Sequence, residues 1–466
     1  MKKMPGENGP AGKAADAAQT KELYRNTLSI AWPSTVEGAL LSIISSVDTM
    51  MVGTLGPASI AAVGLTSQPR MIMLIFAQAL CIGTTALCAR RKGAQDREGA
   101  NTCLNQSLGI ITVIGILMTL IGYFGAEGLM RLGGANDDTF ALSTDYFRII
   151  SLAFLPQCWQ LCICAAMRAI GKTRITMFTN ITANLINVVL NYILINGKLG
   201  FPALGVRGAA IATACGTISA SLICVTLAMH KGGYYRLKFP RFDRVTMSGL
   251  VRVGSSSMVE AVCLRIGFLM LARLIAGIGT NAFAAYQIVS QVTSLSFTLG
   301  DGVSTAATSL VGQSLGAKRK DLAMGYARAA SRIGFMVALF LMLVITVFSR
   351  QLALLFTTDE EIIHAVTLSF YVAIAAMIPQ NGRVVQSGVL RGAGDVRFVA
   401  VCALLSVAIL RPALTWLFCY PLADAWPGVP VAVLSPWIAF LIDAVVRDRL
   451  LHHRIRQGKW LNIELS

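Results

Sequence analysis

Twelve long apolar stretches constrain what this 466-residue chain can fold into. A helix needs about 20 apolar residues to cross a bilayer, and most of the stretches reach that length. Only 14% of the residues are charged, against about 25% in an ordinary soluble domain, which excludes a soluble enzyme and a disordered protein. We predict an all-α integral membrane protein with twelve transmembrane helices, at roughly 28–52, 67–89, 104–124, 142–167, 175–196, 208–229, 248–275, 283–312, 327–349, 364–389, 397–420 and 430–446.

The positively charged residues are concentrated in alternate loops. If the N-terminus is cytoplasmic, about three quarters of the 40 Lys and Arg residues lie in the two tails and the inner loops, and few lie outside. This asymmetry follows the positive-inside rule, so it predicts a multi-pass protein of the plasma membrane with both termini in the cytoplasm. The net charge of +17 is then an orientation signal with some attraction to membrane lipid, and we expect no nucleic-acid partner.

The chain repeats itself at an offset of 223 residues. Glu37 aligns with Glu260, for example, and the segment 168–174 aligns with 391–397. Six spans per half is an even number, so both halves enter the membrane in the same sense and form a parallel repeat. Such doubled bundles are typical of transporters that rock two lobes about a central site, although duplication for packing alone would leave the same pattern. The predicted parts are a polar cytoplasmic tail (1–26), an N-terminal six-helix lobe (27–229), a basic cytoplasmic linker (230–247), a C-terminal six-helix lobe (248–446) and a basic cytoplasmic tail (447–466).

Several motifs in the two halves resemble those of a known family. They are VDTMMVGTLG at 47–56, NVVLNY at 187–192, LVGQSLGA at 310–317 and LRGAGD at 390–395. Together they resemble the multidrug and toxic compound extrusion (MATE) family over about 23–446, nearly the whole chain. The resemblance implies two six-helix lobes in a V around a central cavity. It also implies export of organic, often cationic or hydrophobic, compounds in exchange for protons or sodium ions.

Two acidic residues lie on the first predicted span. Asp48 matches the acidic residue of the family's first helix, which takes part in proton or cation binding; a hydrated, structural carboxylate is the alternative. Glu37 lies eleven residues earlier, about 16 Å along the same helix face, where a proton or cation relay would use it. The equivalent Glu260 of the second half instead favours a structural role shared by both lobes.

Four asparagines lie on one face of the fifth predicted span. The resemblance assigns Asn187 and Asn191 to the coupling site, and with Asp48 they form the predicted sodium site. One family branch has an aspartate where this chain has Asn191, which weakens a two-carboxylate proton site. Asn180 and Asn184 either line the substrate cavity or form interhelical hydrogen bonds.

The second half departs further from the family pattern. Where one branch has a glutamate on span 7 and an aspartate on span 10, this chain has Leu264 and Gln380, so the carboxylate cluster that this branch uses for sodium is missing. A polar stripe at helical spacing marks span 8, and Arg383 either binds a charged substrate or pairs with Asp301. The predicted cavity residues of this half are Gln287, Gln291, Ser294, Asp301, Gln380 and Arg383.

Several functions remain open at this point. We expect a cation-coupled antiporter, a monomer in membrane lipid that binds small organic substrates. Some arginines lie within or near the spans, where they would repel a purely cationic substrate and would suit a flippase for a lipid-linked precursor. These arginines are Arg265, Arg273, Arg383 and Arg411. A receptor without a transport cycle is the third candidate, and the repeat argues against it. No P-loop or HExxH pattern occurs, so we expect no enzymatic activity and no cofactor apart from the coupling ion, H+ or Na+.

Overall fold

The described part of the chain is helical and contains no β-strand. The computed structural model describes residues 10–230, 233–237, 242–354, 356–357, 359–421 and 431–463. The helices are α1 (Pro10–Gly53), α2 (Pro57–Gly93), α3 (Arg97–Phe124), α4 (Ala126–Leu132), α5 (Asp137–Ser151), α6 (Phe154–Ala169), α7 (Thr173–Asn196), α8 (Gly205–Met229), α9 (Arg244–Ala276), α10 (Thr280–Gly316), α11 (Lys320–Leu354), α12 (Glu360–Ala393), α13 (Val396–Ala403), α14 (Arg411–Cys419) and α15 (Val431–Gln457). A π-helical segment, Leu404–Leu410, joins α13 to α14, and a 3₁₀ turn, Lys459–Asn462, follows α15.

Each of the twelve predicted spans coincides with one of these helices or with a pair of them. In the described residues, eight helical segments are long and apolar enough to cross a membrane, and the pair α5–α6 makes a ninth if it is one bent span. The other three predicted spans correspond to α9, α10 and α15. The all-helical, duplicated membrane architecture predicted from the sequence is therefore confirmed.

Three spans are less regular than the apolar pattern predicts. In the span predicted at 327–349, helix α11 contains one residue with non-helical backbone angles, Phe348. The span predicted at 142–167 is broken after Ser151, and its two parts, α5 and α6, are bent by 51°. Pro156 lies in the first turn of α6, where a missing N–H costs little, so the sequence favours a helix start there. The span predicted at 397–420 contains the π-helical segment just before Pro412, whose ring cannot continue a regular hydrogen-bond ladder.

The chain divides into two compact units. One takes the residues up to Thr35 together with Val262–Glu464, and the other takes Val36–Ala261. The division falls within α1 and within α9, whereas the predicted lobes meet at the linker 230–247. The predicted limits of the lobes, the linker and the tails stay predictions.

The beginning of α1 packs against the second half of the sequence. The helix already starts at Pro10, so much of the predicted polar tail 1–26 is helical. Asn26 Nδ2 donates to the hydroxyl of Tyr326 at 3.2 Å, and Arg332 Nη1 donates to the hydroxyl of Tyr24 at 3.2 Å. These contacts join the N-terminal half of α1 to α11 and explain why residues up to Thr35 belong with the second half.

The described part of the basic linker is anchored on the unit Val36–Ala261. Asn105 Nδ2 donates to the carbonyl of Arg236 at 3.1 Å, and the buried Tyr235 donates its hydroxyl to the carbonyl of Ala166 at 3.0 Å. Asp243 precedes α9, and hydrogen bonds from the hydroxyl and the backbone N–H of Thr246 lower the pKa of its carboxyl group. These bonds hold the start of α9 in place.

Candidate functional site

A polar cavity of about 440 Å³ lies inside the unit Val36–Ala261. Side chains from α1, α2, α6, α7 and α8 form its wall. The wall carries two acids, two arginines and several amides, which is unusual for helices of such apolar composition. These lining residues are Glu37, Asp48, Arg70, Gln157, Gln160, Arg168, Asn180, Asn184 and Asn187.

Asp48 is half-buried on α1 and accepts hydrogen bonds from two asparagines of α7. Asn191 Nδ2 lies 2.8 Å from Asp48 Oδ1. The amide of Asn187 satisfies its neighbours when its nitrogen faces Asp48: it then donates to the two carboxylate oxygens at 2.8 and 3.0 Å, and its oxygen accepts from the N–H of Thr213 at 3.1 Å. Asn187 and Asn191 are about one helical turn apart, so both amides reach the same carboxylate.

Glu37 forms a second cluster of an acid with amides. Its side chain is buried, and it accepts hydrogen bonds from Asn180 Nδ2 and, at 3.3 Å, from Thr176 Oγ1. Asn180 Oδ1 in turn accepts from Gln160 Nε2 at 2.6 Å. The predicted coupling residue Glu37 and the predicted cavity residue Asn180 are therefore direct partners.

The two clusters follow from one helix register. Asn180 lies 143 positions after Glu37, and Asn191 lies 143 positions after Asp48. A constant offset means that α1 and α7 run parallel, and eleven residues are about three helical turns, so the same pair of faces meets again. Asn184 lies between the clusters, where it lines the cavity and donates to the carbonyl of Asn180 at 2.7 Å.

A buried oxygen beside Asp48 lacks a hydrogen-bond donor. Asn191 is 2% exposed, and its Oδ1 has no partner in the described part of the chain. An amide oxygen next to a carboxylate is a suitable ligand for a hard cation. No group of three or more His, Cys, Asp and Glu side chains that could hold a metal ion occurs among the described residues, so a sodium site here would depend on amide oxygens.

The basic part of the wall was not predicted from the sequence. Arg70 lies three residues inside the second predicted span, where an arginine is a signal that could have been used, and its Nη2 donates to Gln157 Oε1 at 3.4 Å. Arg168 lies one residue beyond the fourth predicted span, 142–167, on its predicted cytoplasmic side. In the structure it belongs to the last turn of α6, lines the cavity and donates from Nε to the carbonyl of Cys164 at 3.4 Å.

The predicted cavity residues of the second half lie in the other unit and are not part of this wall. Gln380 is buried on α12 and accepts from Arg383 Nε at 2.6 Å. The four predicted cavity residues on α10 share one exposed face: Gln287, Gln291, Ser294 and Asp301. A role for this face in binding substrate stays a prediction.

Comparisons with known proteins agree with this architecture. The family model MatE matches the chain twice, at residues 33–193 and 257–417. "Probable multidrug resistance protein NorM" of Rhodopseudomonas palustris is 29% identical over 97% of this chain and 96% of its own length. "Uncharacterized transporter YisQ" of Bacillus subtilis is 24% identical over 93% of this chain and 94% of its own length. A solved structure of "a multidrug resistance MATE family transporter of the MOP superfamily" superposes with a TM-score of 0.85 at 23% identity, over 94% of this chain and 96% of the other.

The duplicated bundle of apolar helices, with a polar cavity inside one unit, defines the class of polytopic membrane transporters. The two matches of the family model cover more than half of the sequence, one in each half. The chain belongs to the MatE family.

Proposed function

We propose that this protein is a cation-coupled secondary antiporter that exports organic compounds by alternating access. The observation that carries the proposal is the position of Asp48, half-buried in the cavity wall and bound by Asn187 and Asn191. An ionisable residue on a transmembrane helix is costly unless it is paired, hydrated or loaded with an ion. A carboxylate that opens onto a polar cavity can be loaded and unloaded from water.

The coupling ion, H+ or Na+, would bind at Asp48. Two amide N–H donors stabilise the anionic carboxylate, and the buried Asn191 Oδ1 supplies a further oxygen for a cation. Loading from outside would favour one arrangement of the lobe, because an ion shifts a conformational equilibrium only by binding one state more tightly. Glu37, tied to Asn180 and Thr176, would relay charge along the same face or hold α1 against α7.

The cavity volume favours a small organic molecule as the transported substrate. About 440 Å³ lies within the roughly 300–1,000 Å³ range of pockets that hold drug-sized ligands. Cationic and hydrophobic compounds are the first candidates, and the relative named a multidrug resistance protein supports them. We further propose a monomer in the plasma membrane with both termini in the cytoplasm.

Export from proteoliposomes tests the coupling role of Asp48. We would follow efflux of a cationic dye under an imposed proton gradient and then under a sodium gradient, for the native protein, Asp48→Asn and the control Asp145→Asn. Asp145 forms an exposed ion pair with Arg207 and does not line the cavity. We expect at least about a tenfold loss of gradient-driven export for Asp48→Asn, because the amide can neither take up a proton nor supply a full charge to Na+, and little change for the control.

Native export by Asp48→Asn under both gradients would contradict the coupling role. Movement of a lipid-linked anion without any dye export would replace the antiporter by a flippase for lipid-linked precursors. Dye binding without transport under either gradient would indicate a receptor.

A further inference from the structure

Arg70 is a charged group of the cavity with one long hydrogen bond among the described residues. It lies on the membrane-spanning helix α2, is half-buried and lines the cavity. Its only hydrogen bond in the described part of the chain is the 3.4 Å contact to Gln157 Oε1, and no described carboxylate oxygen lies within 4.0 Å of it. A guanidinium inside a membrane domain requires an anionic partner or water.

The two acids of the wall are already engaged by neutral groups. Asp48 is bound by Asn187 and Asn191, and Glu37 by Asn180 and Thr176. Neither acid pairs with Arg70 in this arrangement. Among the described residues, the cavity therefore presents an arginine that forms no ion pair with a carboxylate of the chain.

The chemistry of guanidinium defines what would supply that charge. Its planar array of N–H donors matches the two oxygens of a carboxylate, and the resulting hydrogen bonds are about twice as strong as neutral ones. Gln157 Oε1 takes one N–H and restricts the orientation of the side chain, which leaves the other donors for a ligand. Arg70 and the acids Glu37 and Asp48 line the same cavity, so one molecule can meet charges of both signs.

We propose that Arg70 anchors the carboxylate of the transported compound, so that this cavity prefers zwitterionic compounds to purely cationic ones. This inference rests on the proposed transport function and names the substrate class of the same cavity. The cationic part of such a compound faces the acid-lined wall of α1, and its carboxylate faces α2.

Two dyes that differ only at one carboxyl group test the preference. Rhodamine 110 carries a free carboxylate and a cationic xanthene ring, and rhodamine 123 is its methyl ester. Binding of each dye is measured by fluorescence anisotropy on the full-length protein in nanodiscs, for the native chain, Arg70→Gln, Arg70→Lys and Arg207→Gln. Arg207 is an exposed arginine of the same unit that pairs with Asp145 and does not line the cavity.

We expect the native protein to bind rhodamine 110 more tightly than rhodamine 123. Arg70→Gln should weaken rhodamine 110 binding by about tenfold or more, since a hydrogen bond between charged groups is worth about 1.5–3 kcal/mol. The same substitution should weaken rhodamine 123 binding by less than about threefold. Arg70→Lys should fall between the native protein and Arg70→Gln, because the charge remains and the paired geometry is lost. Arg207→Gln should bind both dyes as the native protein does.

Three results would overturn the inference. Arg70→Gln could lose affinity for both dyes equally, or it could lose affinity for neither. The native protein could also bind rhodamine 123 at least as tightly as rhodamine 110. Absence of rhodamine 110 binding to the native protein would do the same. The proposed function would survive any of these if rhodamine 123 is still exported in an Asp48-dependent way. Conversely, selective rhodamine 110 binding without gradient-driven export would keep the Arg70 site and end the antiporter proposal.

Discussion

Two acids on one helix face acquire different surroundings from the same neighbouring helix. Glu37 is 5% exposed, and its carboxylate accepts hydrogen bonds from an amide and a hydroxyl. Asp48 is half-buried, and its carboxylate accepts hydrogen bonds from two amides. Burial makes Glu37 costly to leave without partners, so its hydrogen bonds contribute to stability. Partial exposure leaves Asp48 open to exchange with ions in the cavity.

Removing the Glu37 carboxylate should destabilise the protein. In Glu37→Ala the amide of Asn180 loses its acceptor in a buried place, and we expect the free energy of unfolding to fall by roughly 1–3 kcal/mol. Glu37→Gln keeps an acceptor oxygen, so its free energy of unfolding should fall by less than that of Glu37→Ala. Thermal unfolding in detergent would measure both.

The matched control for Glu37 is Glu127, whose ion pair with Arg148 is exposed. Glu127→Ala should cost less than about 1 kcal/mol. If Glu37→Ala unfolded at the same temperature as Glu127→Ala, the hydrogen bonds of Glu37 would not contribute to the stability of the protein.

At the scale of the elements, small residues let α8 approach α7 closely. Gly208, Ala212, Gly216 and Ala220 recur at every fourth position of α8, and all four are buried. Without large side chains the two backbones come together, which is how helices associate tightly in membranes. At Gly216 an added Cβ would lie 2.9 Å from the carbonyl oxygen of Ala183 and 3.1 Å from Cβ of Asn187.

Gly216→Ala should therefore push α8 away from α7. We expect it to lower the free energy of unfolding by about 1–3 kcal/mol, the usual cost of overpacking, and to displace the Asn187 amide that holds Asp48. Thermal unfolding and gradient-driven dye export would both decrease.

Gly64→Ala provides the comparison. Gly64 lies on helix α2, and a Cβ added there would have no neighbouring atom within 4 Å. Alanine there should be neutral or stabilising by up to about 1 kcal/mol. Equal behaviour of the two variants would show that the close approach at Gly216 has no consequence.

The irregular helices show which structural details an apolar pattern cannot predict. Hydropathy located all twelve spans, but an average over 20 residues cannot register a break of two residues between α5 and α6 or a π-helical turn. Prolines were the available signal, and they are ambiguous. Pro156 and Pro412 lie in two of the three irregular spans, whereas α11, which is non-helical at Phe348, contains no proline. Pro33 and Pro379 lie inside helices α1 and α12 that continue without a break.

For the whole molecule, the distribution of positive charge predicts the orientation in the membrane. Translocation of Lys and Arg against the membrane potential is unfavourable, so the loops rich in these residues stay inside. The asymmetry spans both halves of the sequence, which predicts the same sidedness for the two repeats.

Reporter fusions would test this orientation. Green fluorescent protein fused after Ser466 should fluoresce and alkaline phosphatase fused there should be inactive, because the C-terminus is predicted to be cytoplasmic. A short epitope inserted after Lys198, in the turn between α7 and α8, should be accessible from outside the cell. Active phosphatase after Ser466 together with a protected epitope would contradict the predicted topology.

By itself, the sequence determined the membrane class, the number of spans and the repeat, because each depends on composition and periodicity along one chain. Its motifs indicated the family by resemblance. It also identified Asp48, Glu37 and the asparagine face of α7, since polar residues are conspicuous on apolar helices. Only the tertiary structure decided which asparagine binds which acid, and it alone brought Arg70 into the wall with them. The physical reason is that helical periodicity defines a face, whereas the partner of that face depends on how separate helices pack.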